Sequence, residues 1–163
     1  MAWWRGQLSM SKKILIMGLP GAGKTTLALF LAPQLKAVHF NADAIRANIC
    51  RDLGFSLKDR IEQARRMGWL CDQVAAAGQV AIADFVCPTP DTRKAFGKSF
   101  VVWVDRIEKG RFADTNQLFK PPVEYDLRVT ETGSPQFWVE RVVEKLVGAV
   151  PELQNLEPQR GAA

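Results

Sequence analysis

The sequence predicts an α/β protein, a three-layer sandwich of about five parallel strands with helices on both faces. Three observations point to it. Short apolar runs alternate with longer segments at helical spacing. The runs at residues 80–85 and 100–105 are apolar almost throughout, as in strands covered on both faces. A glycine-rich segment, residues 18–26, joins the first strand to the first helix. At 163 residues the chain is long enough for one domain with a sizeable core and too short for two.

The elements follow in order. Residues 14–17, Ile-Leu-Ile-Met, form the first strand, and residues 25–35 the first helix. A short strand over 37–41 carries His39, the only histidine, which reads as packed rather than catalytic. A helix follows over 43–50. Gly54 then breaks the pattern within Arg51-Asp52-Leu53-Gly54-Phe55-Ser56. Ser56 and Asp59 suit the start of a long helix running to about residue 77, with Leu57, Ile61, Ala64, Cys71 and Ala75 at helical spacing. Gly78 closes it. The strands at 80–85 and 100–105 flank a short helix over 88–96. Residues 106–124 are polar and basic with no apolar period, which suggests a lid. A last strand over 125–130 and a helix over 135–147, with Trp138, Val142 and Leu146 on one face, complete the domain. Residues 1–9 read as a disordered extension, 10–150 as the folded domain, and the Gln/Glu/Pro-rich 151–163 as a loose tail.

Hydrophobic residues at 47% and charged residues at 24% are ordinary for a soluble globular domain. The net charge of +5 suits polyanionic ligands. No basic cluster is interleaved with aromatics, which argues against nucleic acid as a partner. Cys50, Cys71 and Cys87 lack metal-ligand spacing and read as reduced thiols of a cytoplasmic protein. No signal-peptide core and no run near ~20 apolar residues is present, so no membrane span is expected. Oligomeric state is left open, a homodimer included.

The segment Gly18-Leu19-Pro20-Gly21-Ala22-Gly23-Lys24-Thr25-Thr26 matches the phosphate-binding pattern G-x-x-x-x-G-K-[ST] at every position. Its setting, a strand before and a helix after, is the one that pattern requires. Backbone N–H groups of such a loop wrap phosphate oxygens, and the helix that follows presents its positive end to them. Lys24 reaches the β- and γ-phosphates, and the Thr25 hydroxyl meets the Mg²⁺ of ATP. Ligands belong beyond the carboxyl ends of the strands. Asp43 stands there, able to accept or orient a hydroxyl proton, with Arg46 one helical turn on to clamp an anion. Asn41 or Asp43 can also serve as a helix cap.

Three further segments resemble motifs of the adenylylsulfate (APS) kinases. Asn41-Ala42-Asp43-Ala44-Ile45-Arg46 is similar to D-G-D-x-[IV]-R, residues 51–56 match R-D-L-G-F-S, and residues 59–66 are similar to D-R-x-E-N-x-R-R, all at the family's spacing. Phe85-Val86-Cys87-Pro88 resembles F-I-S-P, and Phe119-Lys120-Pro121-Pro122 more weakly Y-E-A-P. The resemblance is strong over about residues 13–96. It implies a P-loop kinase fold and a role in sulfate assimilation. The implied reaction transfers the ATP γ-phosphoryl group to the 3′-hydroxyl of a small nucleotide acceptor, adenylylsulfate. It also implies that Phe55 stacks on the acceptor adenine, that Arg60 and Gln63 bind its anionic part, and that Asn41, Asp43, Arg46 and Val86 line the same pocket.

The chain departs from the family at four places. Asn41 replaces the first acid of D-G-D, and Gln63 replaces an Asn. Asp84 stands where the family has a small hydroxyl residue; it could hold the water shell of Mg²⁺, replace the lost carboxylate, or cap the strand end. The lid is shortened and lacks the family's K-G-L-Y-K-K-A-R run, leaving Lys109, Arg111 and Lys120 as candidate lid cations. These changes leave room for another acceptor, such as a nucleoside diphosphoramidate, another nucleotide or a polynucleotide 5′-hydroxyl. An NTP-hydrolysing regulator is disfavoured, because neither Asn-Lys-x-Asp nor Asp-x-x-Gly occurs.

Overall fold

A computed structural model describes residues 11–130 and 133–148. The expected extension at 1–9 and tail at 151–163 lie outside the described residues. Along the chain come β1 (Lys13–Met17), α1 (Lys24–Leu35), β2 (Val38–Asn41), α2 (Ala42–Asn48), α3 (Leu57–Ala76), β3 (Ala81–Asp84), α4 (Pro90–Phe96), β4 (Phe100–Val104), α5 (Ala113–Leu118), β5 (Leu127–Val129) and α6 (Pro135–Gly148). The five strands form one sheet in the order β2-β3-β1-β4-β5, and every pairing is parallel.

Residue alternation on β1 explains the two helical layers. Ile14 and Ile16 point into a core with Leu27 and Leu31 of α1 and Val139, Val142 and Leu146 of α6. Leu15 and Met17 point the other way, against Ala64, Met67 and Cys71 of α3 and Phe96 of α4. Full burial of each such aliphatic side chain contributes roughly 1.5–3 kcal/mol. On α6 the expected face gains Val139, and Trp138 packs half-buried at its side.

Elements follow the predicted order, with one addition. The stretch 106–124 contains a short helix, α5, which has only Thr115 buried. A single buried threonine leaves no apolar period to read. Four strands are shorter than expected: the second starts at Val38, the third covers Ala81–Asp84, the fourth stops at Val104 and the fifth covers only Leu127–Val129. The chain runs from β1 out to the edge strand β2, returns to β3 between the two, then crosses to β4 and β5 on the other side. That reversal leaves a crevice at the carboxyl end of β1. Among the described residues, no helix is long and apolar enough to cross a membrane.

Candidate active site

The loop from β1 to α1 fills that crevice. Gly18 lies so close to β4 that a Cβ would sit 2.4 Å from the Val104 carbonyl oxygen. Gly23, the residue before α1, has a left-handed φ of 103° that disfavours a side chain. It supplies no side-chain cap, and no acid lies in the first turn of α1. The leading N–H groups and the positive helix end are therefore left for an anion.

Lys24 opens α1 with only 8% of its surface exposed. Its ammonium donates to the Leu19 carbonyl at 2.9 Å. Burial pushes its pKa down to about 8, while Asp84 and Asp43 pull it back up. A phosphate at the loop would supply the charge that this site lacks.

Thr25 donates its hydroxyl to Asp84 Oδ1 at 3.0 Å. Asp84 ends β3 in register with Asn41 at the end of β2, and is 2% exposed. Asn41 Nδ2 donates to both carboxylate oxygens, at 3.1 and 3.2 Å, and His39 Nε2 meets Oδ2 at 2.5 Å. The side chains that hold this carboxylate thus come from α1 and β2, which sets aside a turn-capping role for Asp84. His39 is packed as expected, yet it packs onto the site.

Asn41 also caps α2, its Oδ1 accepting from the N–H groups of Asp43 and Ala44 at 3.1 Å each. Asp43 therefore leaves the cap to Asn41 and is exposed in the first turn of α2. Gln63 is buried and donates to the Ala42 carbonyl at 3.1 Å, propping the same turn from α3.

The 51–56 loop is braced by ion pairs. Arg66 forks onto Asp52 with two bonds of 2.7 Å, and Ser56 caps α3 through the Asp59 N–H. Arg46 donates to the Gly54 carbonyl at 2.7 Å and lies 4.4 Å over the Phe55 ring. Burial and the neighbouring Arg60 both lower the Arg46 pKa. Arg60 lies 5.7 Å from the same ring and donates to Asp114 Oδ2 at 3.4 Å and Thr115 Oγ1 at 3.2 Å. Phe55 itself is 67% exposed.

These groups line one cavity of about 400 Å³. Pro20, Gly21, Lys24, Thr25 and Asp84 form one part of its wall. Asn41, Asp43, Arg46, Phe55, Arg60, Gln63 and Val86 form another, and Arg111 closes it from the lid. Every residue assigned to the acceptor from the sequence is in this wall. Lys109 and Lys120 are not. Lys120 instead ties down the lid, its N–H donating to the Pro88 carbonyl at 2.7 Å while Arg93 donates to its carbonyl at 3.1 Å. Gly23 and Thr26 line a separate small cleft with Arg106, Pro135 and Trp138.

Sequence reasoning missed Phe112, Asp114 and Thr115, which also line the main cavity. They sit where the lid meets the loop. Gly110 packs on Pro20, its absent Cβ 3.0 Å from the Pro20 carbonyl oxygen, and Asn116 bonds both the N–H and the carbonyl of Gly110. An aromatic in a basic stretch was the only sequence signal for Phe112.

The family model described as adenylylsulphate kinase matches residues 10–109, well over half of the chain. The chain belongs to the adenylylsulfate kinase family. An adenylyl-sulfate kinase of Shewanella baltica is 38% identical over 124 residues, covering 73% of this chain and 54% of that protein. The bifunctional enzyme CysN/CysC of Rhodopirellula baltica is 40% identical over 91 residues, 52% of this chain and 14% of that protein. The chain thus spans about half or less of the length of these curated relatives. The structure of the Mycobacterium tuberculosis APS kinase CysC in complex with AMPPNP and APS superposes with a TM-score of 0.75 at 23% identity. The overlap covers 84% of this chain and 98% of that one, a likeness of fold.

Proposed function

We propose that the protein is an ATP-dependent kinase that transfers a γ-phosphoryl group to a hydroxyl of a small nucleotide-like acceptor, with the adenylylsulfate 3′-hydroxyl as the leading candidate. The observation that carries this reading is the shared cavity. Phosphate-loop residues and a carboxylate–arginine–aromatic set face the same space, so a donor and an acceptor can be held side by side.

In this reading the loop N–H groups and the α1 terminus hold the β- and γ-phosphates, and Lys24 balances the charge that builds on them during transfer. Asp43 takes the proton from the acceptor hydroxyl. The freed oxygen attacks the γ-phosphorus as its bond to the β–γ bridging oxygen breaks, and ADP leaves. Arg46 and Arg60 clamp the anionic part of the acceptor, and Phe55 offers a face to its base. Arg111 and Phe112 close over it from the lid.

The residues fit the Mg²⁺ that accompanies ATP. Thr25 spends its proton on Asp84 and accepts from Asn41 with one lone pair, which leaves the other for a cation, and the buried carboxylate lies next to it. When bound, the ion neutralises charge on the bridging phosphate oxygens. Thr25 and Asp84 would hold it, Asp84 through the water shell.

The test is ADP release measured with ATP alone and with a panel of acceptors. Turnover that requires adenylylsulfate supports the full reading. Turnover only with another phosphorylated nucleotide keeps the kinase and replaces the acceptor, and equal ADP release without any acceptor overturns both.

A further inference from the structure

Asn41 differs from the acid found at the matching position of the family motif, and Asp84 differs from the matching small hydroxyl residue. The structure shows that the two differences touch. Parallel pairing of β2 with β3 sets Asn41 directly against Asp84. The Asn41 amide is fully engaged: its oxygen accepts two helix N–H groups, and its nitrogen donates to Asp84 Oδ1, Asp84 Oδ2 and Thr25 Oγ1 at 3.1, 3.2 and 3.2 Å. Turned over, it would set oxygen against carboxylate and N–H₂ against N–H, so one orientation is dictated.

His39 lies two residues earlier, on the same side of β2, and meets Asp84 Oδ2. Asp84 is buried, and a buried carboxylate needs donors to replace the water it has lost. Thr25, Asn41 and His39 are those donors, with the Lys24 charge nearby.

We propose that His39 and Asn41 are positioning residues that hold Asp84 against Thr25, and that the amide at position 41 and the acid at position 84 form an obligate pair. The strand ends accept one carboxylate between them and not two. This inference rests on the reading of Thr25 and Asp84 as the cation-facing edge of the nucleotide site. Asn41→Asp keeps the size of the side chain and its capping oxygen. It also places a second carboxylate about 3 Å from the first, where like charges repel strongly with little solvent to screen them. Asp84→Ser removes that conflict and supplies a hydroxyl donor to the introduced acid. The two substitutions should therefore be non-additive.

Calorimetric titration of the full chain with ADP, with and without Mg²⁺, tests this independently of any acceptor. Asn41→Asp is expected to weaken Mg²⁺-dependent ADP binding about 10–100-fold, the usual cost of disturbing a group behind a metal ligand, while metal-free ADP binding changes little. Adding Asp84→Ser should recover most of that loss. Native-like MgADP binding by Asn41→Asp, or a double variant weakened by the product of the single effects, overturns the pair. If Asn41→Asp does not fold, a cooperative melt regained on adding Asp84→Ser supports the pair, and continued unfolding overturns it. His39→Leu should weaken MgADP binding, and His39→Gln, which can still donate to the carboxylate, should restore it. Equal losses in both overturn the role of His39. Failure of every acceptor in the turnover assay leaves these binding results standing, so the two readings fail separately.

Discussion

The proposed donor and acceptor ends of the cavity are built by different means. At the donor end the working parts are backbone: glycines at Gly18 and Gly23, the uncapped start of α1, and a loop hung on β1, whose Ile14 and Ile16 are fully buried. At the acceptor end they are side chains: Arg46, Phe55 and Arg60, with Arg111 and Phe112 from the lid. Phe55 and Phe112 are 67% and 53% exposed, and α2 buries none of its residues. A phosphate grip made of N–H groups depends on the fold as a whole and is hard to alter piecemeal. An acceptor wall of exposed side chains can be changed residue by residue at little cost to the core. Two of the altered positions follow neither pattern: Gln63 and Asp84 are buried, the first bonded to the Ala42 carbonyl and the second to Asn41.

The largest expected effect comes from Asp43, the proposed general base at the acceptor end. Asp43→Asn should lower kcat by about 10²–10⁴-fold with ATP affinity little changed, as loss of a general base does. Steady-state kinetics decide it, and an unchanged kcat would reduce Asp43 to a bystander of the Asn41 cap.

At the donor end, Lys24→Met should lower kcat by about 10²–10³-fold, the usual cost of one lost charge-stabilising contact. Here stability should move the other way. The Lys24 pKa is lowered from 10.5 to about 8 in the fold. Between about pH 8 and pH 10.5 this lysine therefore binds more protons in the unfolded chain than in the folded one, so its contribution to the stability of the nucleotide-free protein rises across that window. The gain is about 3 kcal/mol. Denaturant titrations at pH 7.5 and pH 10 should show the native chain gaining stability relative to Lys24→Met, which should be at least as stable as native at the lower pH; the Cys71 and Cys87 thiols, pushed up to about 12 by burial, oppose the rise equally in both chains. A variant clearly less stable than native would mean that the lysine's packing outweighs its burial cost.

Arg60→Ala sharpens the contrast from the acceptor side. It removes a guanidinium that faces Phe55, Asp114 and Thr115, and should raise the acceptor KM about tenfold or more while leaving the KM for ATP alone. Equal increases in both constants would show that the two ends are not separable. The smallest effect belongs to Asp114→Asn. Its pair with Arg60 is long at 3.4 Å and the carboxylate is 71% exposed, so kinetics should shift by less than about threefold. A larger shift would identify Asp114 as part of acceptor recognition.

Some of this site was legible because its signals are local. The phosphate loop is a contiguous run with a fixed conformation, and the Ser56–Asp59 cap lies within one helical turn. Roles that depend on distant partners were not legible. Asp52 stood only as one letter of the R-D-L-G-F-S match; its carboxylate braces Arg66, fourteen positions on. Lys120 looked like a lid cation, yet what it contributes is its backbone, bonded to Pro88 and Arg93. Phe112 and Thr115 lie on or beside a six-residue helix with no apolar stripe, so nothing periodic marked them.

By itself the sequence determined the strand–loop–helix start, the parallel α/β order and the residues that line the proposed acceptor wall, because short-range patterning and turn chemistry act before the chain is packed. Only the tertiary structure decided which strands lie side by side and in what register. That register, with Asn41 beside Asp84, joins the α2 cap, Thr25 and His39 into one network, since hydrogen bonds between residues 16 to 59 positions apart exist only once the sheet has closed.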